Sequence, residues 1–246
     1  MHFPHIRIVL VSPQGALNIG SVARVMKNFG FTDLRLVSPR TDHLCKQATD
    51  MAVSAKDTIL RSARVHTSLE DALAGCHYTI ATSTREGKYR EELIDPTALL
   101  TKRIDSSLGQ QMALVFGPED HGLTTADLDL CTCFVRIQTA KELHSMNLAQ
   151  AVTICLYELS KENEVIPKPQ KIREKATFED FEAMIAHMKK TFTGIEYLNP
   201  QNPDHIIHTY RRIFSRADLD PREVIVLHGL WSKIDYLGQF VPEETR

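Results

Sequence analysis

Short apolar runs rich in β-branched residues recur along the first two thirds of the chain: HIRIVLV at 5–11, LRLV at 34–37, YTIATS at 78–83, MALVF at 112–116 and CFVRI at 133–137. Each is followed by a stretch with helical period or helix-start chemistry. That alternation predicts βα units and therefore an α/β fold built on a parallel sheet with flanking helices. Where the runs are almost continuously apolar, both faces of the strand have to be covered. A chain of 246 residues with 43% hydrophobic and 24% charged residues can bury such a core, and it has the composition of a globular protein.

The helix boundaries are written in local chemistry. Asn18 precedes an IGSVARVMKNF pattern and is placed to cap it, with Gly30 as the stop. Ser68 with Asp71, and Thr124 with Asp127, have capping-box spacing. Asp95-Pro96 puts proline at a first helical turn. Asn147 opens LAQAVTICLYELSKE, whose apolar positions 148, 151, 152, 155, 156 and 159 form one stripe. This helix is expected to close a first domain over residues 1–160.

Residues 161–176 then read as a linker, charged and carrying two prolines. Three helices are expected in a small domain at 177–246. They cover 177–192, 203–217 and 221–240, the last beginning with Asp220-Pro221. In the second, Ile206, Ile207, Tyr210, Ile213 and Phe214 form the apolar face, with His208, Arg211 and Arg212 opposite.

Several function classes are disfavoured. Twenty-nine basic and thirty-one acidic residues give a net charge of −2, so any nucleic-acid site must be a local patch. No apolar run is long enough to span a bilayer, and MHFPHIRIVLV lacks the pattern of a signal peptide; a cytoplasmic protein with no membrane partner is expected. The cysteines at 45, 76, 131, 133 and 155 include no C-x-x-C pair. Cys131 and Cys133 lack a second cluster, so free thiols and no metal are expected.

The stretch PQGALNIGSVARVMKNFG, residues 13–30, resembles a phosphate-binding turn, but its glycines at 15, 20 and 30 match neither G-x-G-x-x-G nor the Walker pattern. With Asn18 as a cap, Arg24 falls nearly two turns into the helix, on roughly the same side. A helix N-terminus and an arginine together suit an anion; a capped surface helix with a solvated arginine is the plainer alternative. Further on, LVFGPEDHGL at 114–123 leaves a buried-type strand through Gly117, which would let the backbone approach a ligand closely. HSMNLAQAV at 144–152 puts Ser145 and Asn147 at the mouth of the next helix. Ligands of parallel sheets gather at carboxyl strand ends, where Thr82, Gly117 and Ile137 fall.

In this order the three stretches resemble the motifs of the SPOUT RNA methyltransferases, specifically the TrmH-like 2'-O-ribose branch. The first is Asn18, Gly20, Ser21, Ala23 and Arg24. The second is Phe116-Gly117 with Glu119 and Gly122-Leu123, and the third is Ser145-Met146-Asn147-Leu148-Ala149. The catalytic-type domain comes first and a helical extension follows, which looks like the TrmJ group, tRNA methyltransferases acting on nucleotide 32 of the anticodon loop.

The resemblance implies a deep trefoil knot, a homodimer and S-adenosylmethionine as methyl donor, with tRNA as partner. It places the donor against Thr82, Ser83, Thr84, Gly117, Ile137, His144, Ser145 and Met146. The catalytic set it implies is Arg24, Asn18, Ser145, Asn147 and Glu119, with Arg24 either activating the 2'-hydroxyl or staying charged beside it. RNA contacts are expected from Arg85, Lys88 and Arg90, and on the C-terminal helices from Lys189, Lys190, Arg211 and Arg212. Ribosomal RNA as substrate, or RNA binding without catalysis, are the alternatives. Leu143 stands where related bacterial chains carry tyrosine, which bears on nucleotide preference.

Overall fold

The structure, a computed structural model, describes residues 2–83, 93–97, 110–140, 142–161, 175–199 and 201–239. The chain divides into two compact units, Met1–Ile172 and Arg173–Arg246.

The first unit is a seven-stranded sheet in the order β3-β2-β1-β6-β4-β7-β5, with every pairing parallel. Its strands are β1 (Phe3–Val11), β2 (Phe31–Val37), β3 (Arg64–His66), β4 (Tyr78–Thr82), β5 (Leu93–Ile94), β6 (Met112–Phe116) and β7 (Cys133–Val135). The central strands are the apolar runs of the sequence. In β6 all five residues are buried, as are Ile8 to Val11 of β1. Helices α1 (Ala16–Phe29), α2 (Lys46–Ala52), α3 (Leu69–Leu73) and α4 (Thr125–Asp129) and a π-helical turn at Lys56–Leu60 lie between the strands, and α5 (Leu148–Ser160) follows the last of them. The core joins Ile6, Ile8 and Leu10 of β1 to Ile19, Val22 and Met26 of α1, and to Val152, Leu156 and Leu159 of α5.

Most expected boundaries hold. Gly30 ends α1 in the left-handed conformation, φ 82°. Ser68 accepts from the Asp71 amide, and Thr124 with Asp127 closes a full capping box. Asn147 caps α5 through the amides of Ala149 and Gln150. Strand β7 is shorter than the CFVRI run, so Ile137 lies beyond its end.

Asn18 does not cap α1. The helix starts earlier, with extended Gly15 at the N-cap and no side-chain cap on its own chain segment. Asn18 lies inside the first turn. Arg24 does not share its side either: six residues are about 600° of rotation, 120° short of two turns, and Arg24 is exposed where Asn18 is half-buried. Gly20 is required by packing, since a Cβ there would lie 2.3 Å from the carbonyl oxygen of Ala48 in α2.

The second unit is three helices, α6 (Phe178–Gly194), α7 (Pro203–Ala217) and α8 (Pro221–Gly238). Thr177 caps α6 and Asp220 makes a capping box with Glu223 at α8. Met184, Ile185, Met188 and Phe192 of α6 pack with Ile207 of α7 and with Val224 and Trp231 of α8. Phe192 meets Tyr197, Tyr210 and Trp231 edge-on, at 4.9, 5.4 and 5.3 Å between ring centroids. Ile213, expected on the inner face of α7, is 43% exposed.

Candidate active site

The turn after β6 carries Glu119 to the start of α1, and the carboxylate supplies what the helix lacks there. It accepts the amides of Gln14 at 2.9 Å and Gly15 at 3.0 Å, and the Asn18 side-chain amide at 2.8 Å. A negative charge at a helix N-terminus also meets the positive end of the dipole. Burial pushes the Glu119 carboxyl up, but the hydrogen bonds from Asn18, Gln14 and Gly15 outweigh it and hold it below its ordinary value. The Asn18 oxygen, turned the other way, accepts from Asn147 Nδ2 at 3.0 Å. Asn147 uses its own oxygen for the α5 amides. A chain of hydrogen bonds Glu119–Asn18–Asn147 thus ties the entrances of α1 and α5 to the turn after β6.

Beside this chain a cavity of about 290 Å³ opens at the carboxyl ends of β4, β6 and β7, close to the lower end of the roughly 300–1,000 Å³ of small-molecule sites. Thr82 and Ser83, Gly117 and Glu119, Ile137, and His144 to Met146 line it. Strand ends fix the walls: the Thr82 hydroxyl donates to the Val115 carbonyl at 3.1 Å, and the Ser83 amide to that of Val135 at 3.0 Å. Leu123, Val135, Leu148 and Ala151 add apolar surface.

Gly117 has a different reason from the one its sequence suggests. A Cβ there would stand 2.3 Å from the Leu123 amide nitrogen and 2.4 Å from the Gly122 carbonyl carbon. The close approach is that of its own loop, which turns back through Gly122 at φ 68°.

Of the residues expected around a methyl donor, Thr82, Ser83, Gly117, Ile137, His144, Ser145 and Met146 meet on this one wall, and Thr84 lies outside the described residues. Of the expected catalytic set, Glu119, Asn18 and Asn147 form the hydrogen-bonded chain and Ser145 lines the cavity. Arg24 stands apart, exposed on α1 and off the cavity wall. Arg85, Lys88 and Arg90 also fall outside the described residues.

On α7, Arg211 is no free surface cation. Its guanidinium grips Glu182 of α6 with both nitrogens, Nη2 to Oε2 at 2.9 Å, and its side chain is 17% exposed. Lys189 pairs with Asp204 at 2.6 Å. Lys190 is exposed and Arg212 half-buried. Sequence reasoning passed over Asp120 and His121, which stand at the cavity between Glu119 and Gly122. Asp120 takes the His121 amide at 2.8 Å and pairs with His121 Nδ1. The signal was present as two ionisable residues inside a ligand-facing turn.

Among the described residues no group of His, Cys, Asp and Glu could hold a metal ion, and no helix is long and apolar enough to cross a membrane. The cysteines are free thiols, and burial pushes the Cys155 thiol up to about 12.

Fold and site together define an α/β parallel-sheet protein with a ligand cavity at its strand ends and a polar relay joining three loops. Residues 5–157 match the SpoU rRNA Methylase family, and the chain belongs to that family. Residues 179–244 match the family described as tRNA methyltransferase TrmJ, C-terminal domain.

The chain is similar to the tRNA (cytidine/uridine-2'-O-)-methyltransferase TrmJ of Citrobacter koseri, 33% identical over 94% of this chain and 96% of that protein. It is also similar to the tRNA (cytidine/uridine/adenosine-2'-O-)-methyltransferase TrmJ of Pseudomonas aeruginosa, 35% identical over 92% and 91%. The crystal structure of TrmJ from Z. mobilis ZM4 superimposes with a TM-score of 0.81 at 32% identity, covering 95% of this chain and 99% of that one.

Proposed function

We propose that this protein transfers a methyl group from S-adenosylmethionine to the 2'-hydroxyl of a tRNA nucleotide, nucleotide 32 of the anticodon loop, and that it works as a cytoplasmic homodimer. The observation that carries this reading is the meeting of seven of the eight residues expected around the donor on one wall, beside the Glu119–Asn18–Asn147 relay. The lining suits the donor: main-chain groups at strand ends can satisfy an adenine edge, while Ile137, Leu148 and Ala151 cover its faces. When bound, S-adenosylmethionine supplies an electrophilic methyl on a sulfonium.

The chain's own residues then have three tasks: to hold the ribose in line with that methyl, to exclude water, and to deal with the hydroxyl proton. Asn18, hydrogen-bonded to both Glu119 and Asn147, fixes the loops around the reacting centre, and Ser145, a residue of the cavity wall, orients the ribose oxygen. Arg24 stays charged and acts on the RNA phosphate, because guanidinium does not give up its proton near neutral pH. The C-terminal helices supply tRNA contacts, with Lys190 and Arg212 as candidates. The trefoil threading goes with this assignment.

Although the family matched by residues 5–157 is described by ribosomal RNA, the matched C-terminal family and both relatives are described as tRNA methyltransferases, which supports tRNA over ribosomal RNA. The test is mass-spectrometric mapping of 2'-O-methylation on tRNA and ribosomal RNA from cells with and without the gene. Loss at tRNA nucleotide 32 is expected. Intact tRNA with a lost ribosomal methyl would refute the substrate assignment.

A further inference from the structure

Between α6 and α8 of the second unit, three ionisable side chains form a hydrogen-bonded chain that the methyl-transfer chemistry does not use. His187 Nε2 meets Asp235 Oδ2 at 3.1 Å, and His187 Nδ1 meets His228 Nδ1 at 2.8 Å. The two rings lie 5.1 Å apart between centroids and tilt by 29°.

These contacts fix where the protons sit. An ionised carboxylate only accepts, so His187 Nε2 carries a hydrogen. In a neutral His187 the lone pair is then on Nδ1, and the hydrogen between the rings belongs to His228 Nδ1. His228 keeps its lone pair on Nε2, the end of the chain. A proton added there breaks none of the three groups' bonds. It makes an imidazolium whose positive charge is shared through His187 with Asp235, since a carboxylate stabilises an imidazolium to which it is hydrogen-bonded. A proton added between the rings would instead set two N–H groups face to face.

The surroundings suit an anion. His187 and Asp235 are 22% and 35% exposed and His228 is half-buried, so the chain runs near the surface of the helix pair. Lys190 is exposed on α6 three residues beyond His187, a spacing that makes side chains neighbours on a helix, and its charge reaches Asp235. Among the described residues, the charged and titratable groups facing His228 are thus His187 and Lys190 on α6 and Asp235 on α8. A net charge of −2 gives the whole chain no general attraction for nucleic acid. Local cations have to supply it, and a charged N–H beside a lysine is a strong donor to a phosphate oxygen.

We propose that His228, with His187 and Asp235 as its positioning residues, binds a backbone phosphate of tRNA and takes up one proton as it does so. The inference rests on the tRNA reading above. The proton passes from solvent to His228 Nε2, the imidazolium donates it in a hydrogen bond to a phosphate oxygen, and no covalent bond of the RNA changes.

The test measures tRNA affinity by filter binding from about pH 6 to about pH 8, and proton uptake by calorimetry in two buffers of different ionisation enthalpy. Full-length wild type, His228→Gln, His228→Lys and Asp235→Asn are compared. One linked proton changes a binding constant by up to about tenfold per pH unit. Wild-type affinity is expected to fall several-fold as pH rises over that range, with uptake of about one proton on binding. His228→Gln should match wild type at the alkaline end, lose the gain on acidification, and show a salt slope smaller by about 1 at the acid end. Asp235→Asn should take up less of the proton. His228→Lys, a permanent cation, should bind at every pH about as tightly as wild type does in acid.

That rescue separates a lost phosphate contact from a damaged fold. Wild type that binds tRNA without taking up a proton, His228→Gln with the wild-type pH profile, or His228→Lys no tighter than His228→Gln at the alkaline end would each overturn the proposal. Wild type that binds no tRNA at any pH would instead refute the tRNA reading on which it stands.

Discussion

Replacing Glu119 by glutamine tests whether the turn after β6 organises the site. The carboxylate accepts three hydrogen bonds, from Gln14 N, Gly15 N and Asn18 Nδ2. Hydrogen bonds to a charged group contribute roughly 1.5–3 kcal/mol each when buried. Glu119 is only half-buried, so water can replace part of each bond, and glutamine keeps one acceptor oxygen. A net loss of about 2 kcal/mol follows, taking the lower end of that range and discounting for solvent. For a unit of this size that corresponds to roughly 4–8 °C in Tm by scanning calorimetry.

The pH dependence gives a second measure. The Glu119 carboxyl titrates lower in the fold than in the unfolded chain. Its contribution is therefore present above the unfolded pKa and disappears as pH falls through the folded one. Glu119→Gln should lose stability at neutral pH and converge on wild type in acid. Equal melting temperatures at neutral pH, or a gap that persists unchanged at acid pH, would refute the account of Glu119 as a charged cap on α1.

Gly117→Ala should cost more than the roughly 1 kcal/mol of a typical point substitution, because its Cβ would meet backbone at Leu123 and Gly122, which cannot swing away. Calorimetry should show weakened S-adenosylmethionine binding together with a lower Tm. Arg211→Ala should destabilise the second unit by about 1–3 kcal/mol, since Glu182 is left without its partner in a half-buried position, read as a lower denaturant midpoint. Lys190→Glu should weaken tRNA binding in a filter assay and reduce its salt dependence while leaving the melting curve alone, because Lys190 is exposed on α6. Unchanged tRNA affinity would remove that helix face from the RNA contact.

What was legible in the sequence was local, and what was not depended on distant partners. Thr124 and Asp127 close their capping box within one turn of helix, so spacing alone announces it. Asn18 has the chemistry of a cap, but its partners lie 101 and 129 residues away at Glu119 and Asn147. No window around position 18 contains that information. The same holds on α7: helical period puts Arg211 on a polar face, yet Glu182 on another helix decides that it is a structural ion pair.

Helix α2 has Cys45 at its N-cap with no side-chain cap, and β3 is the short, largely exposed triplet Arg64–His66 on the sheet's edge, so neither carries a local signal. The ends of β1, β2 and β6 coincide with the ends of their apolar runs, whereas β7 stops two residues before its run does. Once three strands end together, the residues just beyond them must share a cavity. The ordered motifs therefore identified the cavity wall better than they identified roles on it. Spacing brings Thr82, Gly117 and Ile137 to one place, whereas the chemistry of that place is set by which side chains the turn at 117–123 folds back against it, His121 among them.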